Sequence, residues 1–114
     1  MDYETAQRFL INQAISTGQN PDAFLVRLQQ KEAPIPGQVT SILLALKIVF
    51  DALQEASHLD RELAYALHLL ATESPQLYNL GERTGVFWPP LLEQDIMRIA
   101  IAVKSIFAGQ KFGS

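Results

Sequence analysis

Apolar residues recur at intervals of three and four through most of the chain, and hardly any stretch alternates with period two. That spacing lays an apolar stripe along one side of a helix and leaves little from which to build a sheet. The expected fold class is all-α: a compact bundle of four longer helices plus one or two short ones, with the third helix central. A length of 114 residues supports one hydrophobic core and not two. A single domain over 1–114 is expected, with residues 110–114 fraying as a polar tail.

Prolines and glycines divide the chain. The first helix is expected over Asp2–Thr17, with Tyr3, Ala6, Leu10 and Ala14 inward and Gly18 ending it. In "NPDAF", Asn20 suits an N-cap, Pro21 a first helical position and Asp22 the positive end of the helix dipole, so a short second helix is expected there. It buries Phe24, Leu25 and Leu28 and stops before "APIPG", where Pro34 and Pro36 disfavour helical geometry in the residues before them.

The third helix, Gln38–Ser57, looks apolar all round until it is wound at about 100° per residue. Thr40, Lys47, Asp51, Gln54, Glu55 and His58 then share one arc. Ser41, Ala45, Ala52 and Ala56 make a stripe of small side chains, and Ile42, Leu46, Val49, Phe50 and Leu53 make a bulky one. Lys47 and Asp51, four apart, are placed to pair on the exposed side. The longest unbroken apolar run here is Ile42 to Leu46, far short of the roughly 18 residues needed to span a bilayer. No membrane association is expected.

Asp60 is expected to start a fourth helix with Leu59, Leu63, Ala66, Leu67 and Leu70 inside and Arg61, Tyr65, His68 and Thr72 outside. The short break before it predicts an antiparallel hairpin with the third helix. Ser74–Pro75 reads as a fresh cap and first position, and Gly81 as the following stop. In "GVFWPP", Phe87 and Trp88 are expected to plug the loop onto the core. A last helix over Pro90–Ala108 turns Leu92, Ile96, Ile99, Val103, Ile106 and Phe107 inward and leaves Met97 and Ile101 outside.

A net charge of −3 offers no long-range attraction to nucleic acid, and the basic residues are scattered. Nucleic acid is therefore not an expected partner. The absence of cysteine removes disulfides, thiolate metal sites and cysteine nucleophiles. "MDYETAQRF" lacks the basic start and apolar run of a signal peptide, so a cytoplasmic protein whose mature chain begins there is expected.

Chemistry is sparse. Asp51, Glu55 and His58 share a face at i, i+4 and i+7, giving half of the Glu-x-x-His arrangement of di-iron bundles. Tyr65 stands where a second glutamate before His68 would be required, so no metal or other cofactor is expected. Arg61, Tyr65 and His68 could line a small-ligand surface, with the histidine as acid or base and the arginine as anion clamp. A solvated helix face accounts for the same three residues. "GERTG" lacks the Lys-Ser/Thr ending and strand–loop–helix setting of a Walker A loop, and the sequence has no G-x-S-x-G elbow.

The succession "NPDAFLVRLQQ", "PIPGQVTSILLALKIVFDAL" and "GVFWPPLLEQD" resembles a short bacterial all-helical family sometimes labelled dethiobiotin synthetase. The resemblance implies a helical fold over most of the chain and assigns no catalytic residue. Dethiobiotin synthetases proper are α/β P-loop enzymes, and this chain lacks their phosphate-binding motif. The expected function is a non-enzymatic protein-interaction or regulatory module, possible as a homodimer. Its candidate surface comprises Met97, Ile101, Ser41, Ala45, Ala52, Ala56 and Trp88. The alternative is an enzyme or ligand-binding protein with a pocket between helices.

Overall fold

The computed structural model describes residues 1–15 and 20–113, and within them finds five helices and no strand. The first, α1 (Tyr3–Ala14), is capped by Asp2, whose carboxylate accepts from the Thr5 N–H at 2.8 Å. That bond, helped by the Thr5 side chain, holds the Asp2 carboxyl below its ordinary value. The helix ends earlier than the expected Thr17 because Ile15 adopts extended backbone (φ −96°, ψ 109°). The Gly18 stop lies outside the described residues.

The second helix, α2 (Phe24–Gln29), starts after a turn over Asn20–Ala23, so Asn20 and Pro21 do not serve as cap and first position. The first amide of the helix is satisfied from elsewhere: the Phe24 N–H donates to Gln13 Oε1 of α1 at 2.8 Å. Gln13 Oε1 also accepts from Gln38 Nε2 at 2.8 Å, and that same nitrogen reaches the Asp22 carbonyl at 2.7 Å. Gln38 Oε1 accepts from the Ile35 N–H at 3.0 Å. Two buried glutamines thus join α1, the start of α2 and the start of α3 (Gln38–Ala52). At its far end α2 closes with Lys31 in the left-handed region (φ 63°), while Lys31 and Glu32 donate back to the Leu28 and Arg27 carbonyls.

The third helix is shorter than the expected Gln38–Ser57 and gives way to an irregular segment before Asp60. Asp60 caps α4 (Arg61–Arg83) by accepting from the Leu63 N–H at 3.0 Å. Contrary to the expected break at Ser74–Pro75, α4 continues through both residues. Proline's fixed φ is compatible with a helix and its missing N–H leaves one carbonyl without its usual donor. Ser74 turns its hydroxyl into the core, where it has no hydrogen-bond partner, instead of capping a new helix. Nor does Gly81 end the helix. Gly85 does, at φ 94°, with Gly85 and Val86 donating to the Glu82 and Gly81 carbonyls.

The last helix, α5 (Leu92–Ala108), buries Leu92, Ile96, Ile99, Val103 and Ile106. Phe107, expected inward, is half exposed because at 100° per residue it falls about 60° off the centre of that stripe. Residues 110–113 fold back along α5: the Phe112 N–H donates to Ser105 Oγ at 2.9 Å, and Lys104 Nζ stands 4.4 Å from the Phe112 ring centroid.

Helix neighbours correct the expected hairpin. The third helix packs between α1 and α5, and α4 also packs against α1 and α5, so α3 and α4 face each other diagonally across a four-helix ring. The irregular segment between them, residues 53–60, spans that diagonal. Val39 and Thr40 share a cleft with Leu92 and Asp95, and further along Leu46 and Phe50 share a groove with Ile101 and Ser105, so α3 and α5 run in the same direction. The fourth and fifth helices run antiparallel: Pro75 lies by Ala100, and Tyr78 by Glu93 and Ile96. One cluster of buried side chains from all five helices fills the ring.

Candidate interaction surface

The connection from α4 to α5 determines what the molecule displays. Its two aromatics, expected to act together, separate. Trp88 folds back on α4, stacking on Tyr78 with ring centroids 6.1 Å apart and donating its indole N–H to the Tyr78 carbonyl at 3.0 Å. It lies against Gly81, where an added Cβ would collide with the indole ring. Burial first, then the Glu82 and Glu93 carboxylates, hold the Tyr78 phenol above its ordinary pKa. Trp88 is therefore a structural anchor more than an exposed one.

Phe87 has the opposite placement. With its neighbour fixed and Pro89–Pro90 restricting the backbone beyond, its side chain is 100% exposed. Leu91 is 62% exposed, and Leu91 and Pro89 line a cleft of about 210 Å³ with Pro34, Ile35 and Val39. The proline-rich loop before α3 and the loop before α5 thus meet at one end of the ring. They form a largely apolar surface there, and Phe87 stands two residues before Pro89 on the same loop.

The other expected surface residues are dispersed. Ala45 is fully buried and Ser41 half-buried, because α1 packs along this side of α3; Ser41 shares a shallow cleft with Phe9 and Gln13. Ala52 and Ala56 are exposed, but Ala56 stands beyond the end of α3 and does not continue a helical stripe. Met97 and Ile101 are exposed on α5, as their spacing indicated, and being four apart they neighbour each other on its outer face, Met97 toward Tyr78 and Ile101 toward α3.

Arg61, Tyr65 and His68 lie on the outer side of α4, exposed, and line none of the clefts found among the described residues. Asp51 ends up on α3 and paired with Lys47 at 3.8 Å, while Glu55 and His58 fall in the irregular segment, so their helical spacing no longer aligns them. Among the described residues no three His, Asp or Glu side chains gather where a metal could be held. No described helix is long and apolar enough to cross a membrane.

An open groove lies between α3 and α5. It has a volume of about 650 Å³, with Leu43, Leu46, Phe50, Ile101 and Ala102 along its floor. Lys47, Asp51, Arg98 and Lys111 stand around it, and Phe112 and Gly113 close one end. No helical periodicity marks this groove, because half of it comes from α5 and the tail. Comparison with known proteins finds no matching family model, no matching curated protein and no matching solved structure.

Proposed function

We propose that this chain is a non-enzymatic protein-interaction module that engages its partner with the apolar end formed by Phe87, Leu91, Ile35 and the Pro89–Pro90 pair. The observation that carries this reading is the complete exposure of Phe87 on a loop held by Trp88 and two prolines. A large aromatic held outward at fixed geometry loses little conformational freedom on docking, and such residues dominate interface energetics when they enter a partner's pocket. The shallow cleft beside it supplies a site for an anchor returned by the partner. A second copy of the chain is one form that this partner can take.

Phe87→Ala is the direct test, since a side chain exposed in full is not needed for folding. Cross-linking in the native cell, followed by mass spectrometry of the intact complex, identifies the partner and places its cross-links. Light scattering over a concentration series shows whether that partner is another copy. The substitution is expected to weaken the complex by about 2 kcal/mol, roughly 30-fold in Kd, with cross-links clustering at residues 86–92. An affinity unchanged in Phe87→Ala, or cross-links confined to the outer face of α4, overturns the proposal.

A further inference from the structure

The groove between α3 and α5 shares no residue with the Phe87 end, and its chemistry is different. Its floor is aliphatic and aromatic, and its volume of about 650 Å³ falls in the range of small-molecule sites. Around it stand Lys47, Arg98 and Lys111 with Asp51 and, beside Arg98, Asp95, a local excess of one positive charge in a chain whose net charge is −3. Asp51 pairs with Lys47 at 3.8 Å, and Arg98 pairs with Asp95 at 3.4 Å. Lys111 has no ion-pair partner among the described residues. The tail that carries it is fixed by Phe112, through Ser105 and Lys104, and the Gly113 backbone lies against Ile101.

We infer that this groove binds a single-chain amphiphile with an anionic head, a medium-chain fatty carboxylate. The alkyl chain lies along Leu43, Phe50, Ile101 and Ala102, and the carboxylate is met by Lys111, the cation there without an ion-pair partner among the described residues. Residues 43 to 51 of α3 rise about 12 Å, an apolar trough for an extended chain and not for a compact polar metabolite. The local excess of positive charge gives the site its preference: an uncharged chain of the same length gains the floor but not the charge-assisted contact.

Decanoate and decanol serve as probes, each titrated below its aggregation limit into the full chain by calorimetry, with amide NMR shifts locating the site. Decanoate is expected to bind once per chain, shifting amides of residues 43–51 and 98–113, and about ten-fold more tightly than decanol. Lys111→Glu, a change at an exposed side chain whose fold is checked by circular dichroism, is expected to weaken decanoate about ten-fold and leave decanol unchanged. Phe87→Ala is expected to bind decanoate as the parent does, which separates this result from the partner test. Equal affinities for the two probes, indifference to Lys111→Glu, or shifts lying elsewhere on the molecule overturn the assignment.

Discussion

Two adjacent aromatics, Phe87 and Trp88, end up with opposite duties, and Gly81 is what separates them. The glycine looks like a helix stop in the sequence, yet it stands inside α4 with a space that the indole occupies. Only the folded loop shows that a distant ring needs the position to lack a side chain. Gly81→Ala is expected to drive Trp88 off α4 and break its bond to the Tyr78 carbonyl. The predicted loss is about 2 kcal/mol of stability, offset slightly by alanine's better helix propensity. Trp88 is the sole tryptophan, so its emission should shift to the red in the variant. An unchanged spectrum with unchanged thermal stability would show that the indole does not depend on that space. Lys31 is a quieter case: its spacing suggests nothing unusual, but it takes the left-handed position that glycine fills at the ends of α4 and α5.

At the scale of elements, apolar spacing disclosed which helices exist, and polar contacts decided where they begin and end. The buried stripes of α4 and α5 follow their periodicity closely, with Leu63, Ala66, Leu67 and Leu70 on one and Leu92, Ile96, Ile99 and Val103 on the other. By contrast, α2 has six residues, too few to hold a helix alone in water, and its start is fixed by a side chain eleven positions away. No local pattern could mark Gln13 for that role, because it reads as an ordinary polar residue of α1. Gln13→Ala removes the acceptor for both the Phe24 N–H and the Gln38 amide. The expected cost is about 2 kcal/mol, with α2 amides exchanging with solvent well before those of α4. Protection of α2 equal to that in the parent protein would count against this latch.

For the whole molecule, the sequence disclosed the class and the four longer helices but neither the continuity of α4 through Ser74–Pro75 nor how the helices are arranged. A short link predicted that α3 and α4 would be neighbours, whereas they are diagonal, and no residue in the link announces that. The surfaces were legible to different degrees. Met97 and Ile101 could be found because they depart from a stripe on their own helix. The Phe87 end and the α3–α5 groove are each assembled from segments about fifty residues apart, so neither has a linear signature. Because one core joins all five helices, unfolding in urea is expected to be a single transition. Trp88 fluorescence and far-ultraviolet circular dichroism should give the same midpoint, with a slope of about 1–3 kcal/mol per molar. Two separated midpoints would show that the α4–α5 loop melts independently of the ring.

The diagonal placement of α3 and α4 also sets an order of assembly during synthesis. Each needs α1 on one side and α5 on the other, and α5 follows the other four in the chain and so leaves the ribosome after them. Until it emerges, the sides of α3 and α4 that it will cover remain open to water together. The nascent chain therefore passes through a stage in which its adhesive surface is greatest just before α5 emerges, and a chaperone that shields exposed apolar helices would have most to bind at that moment.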